Sequence, residues 1–276
     1  MTIIASLLRE TQLPDSPTAR LDSELLLAAA LGKSRSFLHT WPERIVPSDA
    51  AQTFAGYVRR RQQGEPVAYI LGQQGFWTLD LEVAAHTLIP RPETELLVEA
   101  ALQLLPATAA QVLDLGTGTG AIALSLASER AHWQVVAVDR VSEAVALAER
   151  NRQRLRLDNA RVLQSHWFSA LHGERFDLII SNPPYIAAAD PHLSAGDVRF
   201  EPASALVAGT DGLDDLRQII AEAPSYLNAS GWLMLEHGYD QAAAVRELLA
   251  RHDFQQIESR DDLAGHPRIT LGRWRC

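Results

Sequence analysis

The sequence predicts an α/β fold in which a small helical N-terminal domain precedes a largely parallel, seven-stranded sheet covered by helices on both faces. Residues 1–73 carry apolar side chains only at helical spacing, whereas from Pro90 onward short apolar runs alternate with helix-length amphipathic segments. Gly64, Gly72 and Gly75 break the first pattern before the second begins. Finally, a glycine-rich turn at Gly116–Gly120 joins one apolar run directly to a helix start.

At 276 residues, 47% apolar and 21% charged, the chain is globular and long enough for a large domain with a small companion. Its net charge of -9 argues against a mainly electrostatic grip on phosphate, so no direct nucleic-acid partner is expected. The single cysteine is the last residue, Cys276, which leaves no disulfide framework and no thiolate metal site. None of the 9 histidines falls in H-E-x-x-H or related spacing, so no metal is expected. Met1–Glu10 lacks the basic start and apolar core of a signal peptide. No apolar run approaches the ~18 residues of a membrane span. A cytoplasmic monomer without membrane contact is the expectation.

In the N-terminal domain, Leu21, Leu25, Ala28 and Ala29 behind Ser16-Pro17 predict a helix that buries those positions. A second helix is predicted from Ser48, after Pro47, through Phe54, Tyr57 and Val58 to Arg59-Arg60-Arg61. The arginine triplet reads as a solvated end that complements the helix dipole. Residues 74–88 read as a linker, with the alternation of Phe76–Val83 forming a short strand or hairpin. Residues 89–276 form the second domain, where Pro92 opens a helix through Leu96, Leu97 and Val98. Its strands are predicted at Gln111–Leu115, Trp133–Val138, Arg161–Gln164, Phe176–Ser181, Trp232–His237, Phe254–Ser259 and Arg268–Gly272.

Three of these strand ends carry chemistry. In Val112–Leu124 the glycines stand at every second position, which departs from the G-x-G-x-x-G fingerprint but still allows close backbone approach to a nucleotide-like ligand. A tight strand-to-helix connection is the competing reading. Asp139, ending the next strand, suits the ribose hydroxyls of an adenosine ligand, since Ser142 is itself a good cap for the helix that follows. The third strand end runs into Asn182-Pro183-Pro184-Tyr185. A planar amino group is a poor nucleophile, because delocalisation of its lone pair is what gives an amide its barrier of roughly 18–20 kcal/mol. The Asn182 side-chain oxygen and the Pro183 carbonyl, fixed by Pro184, can each accept one N–H of such a group, with Tyr185 over its flat face. From these residues alone, purine and amide are equally admissible. His237 reads as a strand-end histidine with no catalytic part.

Taken together, the ordered motifs closely resemble the bacterial peptide chain release factor glutamine methyltransferases, also called the HemK or PrmC family. They are Gly64–Gly72, Leu88–Glu95, Asp114–Gly120, Asn182–Tyr185 and Phe200-Glu201-Pro202 with Ala205-Leu206. The resemblance implies a seven-stranded Rossmann-like, S-adenosylmethionine-dependent methyltransferase core behind a helical domain that docks a protein substrate. It implies methylation of the glutamine of the Gly-Gly-Gln loop in class I release factors, with S-adenosylhomocysteine as product. It places Gly116, Thr117, Gly118, Thr119 and Gly120 around the methionine portion of the cofactor, Asp139 on the ribose, Trp167 near the adenine, and Asn182 beside the methyl group. Asn182 and Pro183 would be catalytic, and Asn182, Pro183, Pro184 and Tyr185 would hold the substrate. Two alternatives stay open: an adenine-N6 methyltransferase acting on DNA or RNA, and a cofactor-binding scaffold without catalysis.

Overall fold

The computed structural model describes residues 2–275; Cys276, and the expectations resting on it, lie outside the described residues, as does Met1. The chain forms two compact units, one running through Gln73 and taking in Ser194–Phe200, the other comprising the rest.

The first unit is helical: α1 (Ile4–Glu10), α2 (Ala19–Leu31), α3 (Arg35–Thr40), α4 (Ser48–Gln62) and α5 (Val67–Leu71). Local chemistry sets several of the ends. Gly32 closes α2 in the left-handed region at φ 61°, Ser34 accepts the Phe37 N–H at 3.3 Å to cap α3, and Pro47 precedes α4. Ile4, Leu26, Leu27, Leu38, Phe54 and Ile70 form the core.

The buried face of α2 differs from the one its apolar spacing suggests. Leu21 is 38% exposed and Ala29 faces solvent, whereas Asp22, Ser23 and Glu24 are buried beside Leu26, Leu27 and Ala28. The helix rotates because both carboxylates find partners inside. Asp22 accepts from Arg61 at 2.7 Å, from Ser16 at 2.7 Å and from Thr18 at 2.8 Å. Burial works to raise the Glu24 carboxyl, but hydrogen bonds from Arg35 and Arg20 outweigh it and hold the group below its ordinary range. The arginine triplet lies in the last turn of α4 as expected but is only in part a solvated end. Arg61 is buried and also reaches Asp197 at 2.8 Å, while Arg60, half-exposed, pairs with Glu65 at 2.6 Å and Arg59 faces solvent.

A two-stranded hairpin, β1 (Gln73–Phe76) and β2 (Leu79–Glu82), opens the second unit from its second residue, Gln74, and leads to a 3-10 turn at Pro92–Thr94 and α6 (Glu95–Leu104). Strands and helices then alternate as β3 (Gln111–Leu115), α7 (Ala121–Glu129), β4 (Gln134–Asp139), α8 (Ser142–Leu155), β5 (Ala160–Gln164) and β6 (Phe176–Ser181). The chain closes with α9 (Asp214–Glu222), β7 (Leu227–Glu236), α10 (Ala242–Arg251), β8 (Phe254–Asp261) and β9 (Pro267–Trp274). The seven-stranded sheet has the order β5-β4-β3-β6-β7-β9-β8, parallel except for the antiparallel pairs β7–β9 and β9–β8.

Successive side chains on a strand point to opposite faces, and here both faces are buried. Val112, Val135, Ala137, Leu178, Ile180 and Met234 pack under α6 and α7. Their neighbours Leu113, Leu115, Val136, Val138, Ile179, Leu233 and Leu235 pack under α9 and α10. The order reverses between β3 and β6, the position where open sheets of this kind part at their carboxyl ends and take up ligands.

Removing one member of a buried ion pair leaves the other uncompensated, at a cost of about 3–5 kcal/mol. Arg61→Met is therefore expected to lower the stability of the helical unit by an amount of that order in urea unfolding followed by circular dichroism. Adding Asp22→Leu to Arg61→Met should recover part of the loss, and equal stability of Arg61→Met and wild type would contradict this account of α2.

Candidate functional site

Parallel pairing aligns three strand ends. Leu115 is in register with Val138 on one side and with Ser181 on the other, so Gly116, Asp139 and Asn182 leave the sheet side by side. The alignment is reinforced past the last ladder rung, where the Thr117 N–H donates to the Val138 carbonyl at 2.9 Å and the Ser181 hydroxyl donates to the Leu115 carbonyl at 2.7 Å.

The glycine turn is pinned from both ends. Gly116, Gly118 and Gly120 take φ of 69°, 56° and 87°, a region that side chains avoid, and a Cβ on Gly116 would sit 3.4 Å from the Trp167 ring. Asp114 is fully buried below the turn, and its Oδ2 accepts from the Thr117 hydroxyl at 2.6 Å and the Ala123 N–H at 3.2 Å. Burial pushes its carboxyl up to about 7, against the lowering effect of those two donors. Asp139 holds the turn from the other side, accepting from the Gly118 N–H and the Val141 N–H, each at 2.9 Å. Ser142 is not the cap of α8: its hydroxyl donates to Glu143 at 2.8 Å, and Asp139 serves the backbone at this helix start.

These strand ends form the floor of a cleft of about 900 Å³, including its open mouth. Gly116, Thr117, Gly118 and Thr119 line it, together with Asp139, Trp167, Asn182 and Pro184. Gly120, Pro183 and Tyr185 do not: Gly120 precedes α7, Pro183 is buried, and the Tyr185 ring packs against the core beneath α9 and α10 instead of over the cleft. The cleft also takes in Arg91 and Thr94 from the segment before α6, and Ser204 and Ala205 from the loop after β6. Arg91 is tied to the buried Glu201 at 2.5 Å, so two motifs far apart in the chain meet here.

The residues present suit an adenosine-bearing sulfonium. Trp167 is 7% exposed, is held at φ 48° with its carbonyl accepting from the Ser165 hydroxyl at 2.7 Å, and presents an aromatic wall to the cleft. Its Nε1 is buried without a hydrogen-bond partner, as a donor awaiting an acceptor would be. The glycines let the backbone close on a ligand, and Asp139 adds an acidic wall. Among the described residues no group of His, Cys, Asp and Glu is placed to hold a metal ion, and no helix is long and apolar enough to cross a membrane.

Around the Asn-Pro-Pro-Tyr turn, Asn182 Nδ2 donates to the Thr94 hydroxyl at 3.1 Å, which leaves Oδ1 as the acceptor the side chain can offer elsewhere. The Tyr185 hydroxyl donates to Glu236 at 3.2 Å; burial, followed by the negative charge of Glu236, raises the phenol well above its ordinary range and keeps it a neutral donor. Gln241 donates to the Tyr185 carbonyl at 3.0 Å and accepts from the Gly238 N–H at 2.8 Å, fixing the far end of the turn. His237 is buried, with Nδ1 donating to the Gly238 carbonyl at 2.9 Å and Nε2 accepting from Thr270 at 2.7 Å. Burial lowers its pKa, consistent with a neutral strand-end residue. Thr94 and Glu236 escape a linear reading because their partners lie 88 and 51 positions away.

Residues 4–72 match the PrmC N-terminal domain model, and residues 92–258 match the methyltransferase small domain model. The release factor glutamine methyltransferase of Pseudomonas aeruginosa is 70% identical over 276 residues, covering 100% of both chains. This chain belongs to the release factor glutamine methyltransferase family. The family member of Shewanella oneidensis is 52% identical over 259 residues, covering 94% of this chain and 91% of its own. In fold, the family chain is similar to a crystal structure of a methyltransferase from Pyrococcus furiosus, with a TM-score of 0.57 at 18% identity, covering 80% of this chain and 100% of the other. Membership makes the protein a methyltransferase with the expected α/β core.

The raised Asp114 carboxyl gives a stability prediction. Between its ordinary value of 3.8 and about 7 the native protein retains a proton that the unfolded chain has lost. Stability therefore falls as pH rises through that window and levels off above it, with an Asp114 contribution on the order of 2–4 kcal/mol. Urea unfolding at about pH 5 and about pH 8.5 should show a smaller fall for Asp114→Asn than for wild type by roughly that amount. Equal falls would contradict it.

Proposed function

We propose that this protein transfers a methyl group from S-adenosylmethionine to the side-chain amide nitrogen of the glutamine in the Gly-Gly-Gln loop of class I release factors, acting as a cytoplasmic monomer. Family membership supports the substrate, and one bond supports the chemistry. Because Asn182 Nδ2 is committed to Thr94, Oδ1 is the atom available to accept an N–H from a bound amide. The Pro183 carbonyl is the second acceptor in this reading: although Pro183 itself is buried, it stands between Asn182 and Pro184, which both line the cleft.

The cofactor supplies an electrophilic sulfonium methyl and leaves as S-adenosylhomocysteine. The chain's task is then to place an amide nitrogen in line with the breaking S–C bond, and well-oriented reactants can recover ~7–11 kcal/mol of barrier. Two acceptors facing the two N–H groups favour a pyramidal nitrogen with its lone pair aimed at the methyl carbon. Both hydrogen bonds strengthen as the nitrogen gains positive charge, which lowers the barrier and does more than raise affinity. As the N–C bond forms and the C–S bond breaks, the nitrogen acquires acidity and releases its proton to water, so no general base is needed. In the same reading Gly116, Thr117, Gly118 and Thr119 embrace the methionine portion, with Gly120 behind them at the start of α7, Asp139 takes the ribose and Trp167 flanks the adenine. Tyr185 acts from beneath the turn, through its Glu236 bond, and Pro184 borders the opening. The helical unit of residues 1–73 docks the protein substrate, with residues 74–88 as the connection to the catalytic domain.

Asn182→Ala should cut kcat by two orders of magnitude, about the loss for one transition-state hydrogen-bond donor or acceptor, while leaving cofactor affinity within about twofold. Asp139→Ala should instead weaken cofactor binding about tenfold or more, as loss of a charged hydrogen bond does. Transfer of labelled methyl to release factor and calorimetry with S-adenosylhomocysteine measure the two quantities. Unchanged turnover of Asn182→Ala would remove the acceptor role. Label entering DNA or RNA, but no release factor, would restore the adenine-N6 alternative.

A further inference from the structure

His86 lies between β2 and the 3-10 turn at Pro92–Thr94, is half-buried, and lines the cleft, yet no step described so far uses it. A tight turn holds it in place. The Thr87 N–H donates to the Ala84 carbonyl at 3.0 Å, and the Thr87 hydroxyl donates to the same carbonyl at 3.1 Å. Val83, Thr87 and Ile89 anchor that turn in the interior. The His86 Nε2 is buried and has no hydrogen-bond partner. Buried polar atoms are nearly always paired, so an exception on a cleft wall marks a place where a ligand atom belongs.

The glycine turn shows which ligand atom that is. The nearest atom to a Cβ placed on Gly118 is the Thr87 Cβ, at 4.0 Å, so the residue after His86 rests on Gly118. The Gly118 N–H in turn donates to Asp139 at 2.9 Å. His86 is therefore one residue and one backbone hydrogen bond removed from the carboxylate that takes the ribose in the proposed function. An imidazole Nε2 donates in one tautomer and accepts in the other. Of the polar groups of S-adenosylmethionine, the carboxylate and the adenine ring nitrogens only accept, and the ammonium and the adenine amino group only donate. A ribose hydroxyl does both. We propose that His86 is a second ribose-binding residue, whose Nε2 pairs with a hydroxyl of the cofactor's ribose. The inference rests on the adenosine cofactor and on the ribose role given to Asp139 under the proposed function.

The chemistry of Asp139 leaves room for such a partner. Its two oxygens already accept the Gly118 and Val141 N–H groups, and as a carboxylate it can receive a hydroxyl proton but cannot serve the hydroxyl oxygen. His86 supplies a group of the other type. Trp167 reaches the turn at a different glycine, since its ring lies 3.4 Å from a Cβ placed on Gly116. A site that pairs a diol with two such groups selects against a sugar lacking its hydroxyls, because the buried partners are then left unpaired.

The test is calorimetry on the full chain with three ligands. They are S-adenosylhomocysteine, methylthioadenosine, which keeps the ribose but lacks the amino-acid portion, and the S-adenosylhomocysteine analogue lacking both ribose hydroxyls. Circular dichroism confirms that each variant is folded. His86→Phe keeps a ring and removes the nitrogen, and is expected to weaken S-adenosylhomocysteine about five- to tenfold. Methylthioadenosine should weaken by the same factor to within about twofold, and the analogue without hydroxyls by less than about twofold. His86→Gln, whose amide extends about as far as Nε2, should recover most of the loss. Unchanged affinity of His86→Phe for S-adenosylhomocysteine would assign the nitrogen to water and overturn the proposal. A loss that spares methylthioadenosine would move the contact to the amino-acid portion, and an equal loss for the analogue without hydroxyls would reduce the ring to packing; either result overturns it too. Asp139→Ala separates the two ideas. If it weakens S-adenosylhomocysteine while His86→Phe does not, the His86 contact alone is wrong; if wild type binds the analogue without hydroxyls as tightly as S-adenosylhomocysteine, the ribose reading fails first.

Discussion

Everything at the site depends on the register of three parallel strands. With Leu115 level with Val138 and Ser181, the next residue on each strand emerges at the same height. A slip of one residue on β6 would turn Asn182 to the other face of the sheet, because side chains alternate with period two. Burial of both faces opposes such a slip, since the alternate positions Ile179 and Ile180 serve different cores. The hydrophobic layering of the sheet and the placement of the Asn182 amide are therefore one constraint.

On that base, the turn residues divide the work between holding the backbone and lining the cleft. Asp139 accepts two backbone N–H groups and still lines the cleft, so it ties the glycine turn to the start of α8 before any ligand arrives. Asp114 does the same from below at the cost of being a buried carboxyl with one oxygen, Oδ1, unpartnered. Such strain in polar satisfaction is tolerated where a loop must be preorganised. Around Asn182 the same logic recurs with side chains: Thr94 fixes the amide, Glu236 fixes the Tyr185 hydroxyl and Gln241 fixes the Tyr185 carbonyl.

The sheet was legible in the sequence because its strands are short apolar runs bounded by turn residues; β3 and β6 begin and end where those runs do. β7 starts at Leu227, earlier than its apolar part, because Asn228-Ala229-Ser230-Gly231 hides the beginning behind turn-like residues. The face of α2 was not legible, since only the partners Arg61, Arg35 and Ser16 make burial of Asp22 and Glu24 tolerable. In the site, Gly116, Asp139 and Asn182 could be picked out because each ends a strand. Ser142 looked like a cap by residue type, but the Asp139 carboxylate reaches the Val141 N–H first. Thr94 and Glu236 carry no local pattern, and the Tyr185 ring faces the core because its hydroxyl has a buried acceptor there.

In the proposed reaction the slot beside Asn182 methylates a protein side-chain amide. Tandem mass spectrometry of a class I release factor incubated with the enzyme and S-adenosylmethionine tests it most directly. The account predicts a mass increase of one methylene unit located on the glutamine of the Gly-Gly-Gln peptide. Release factor left unmodified, or modified at another residue, would contradict it.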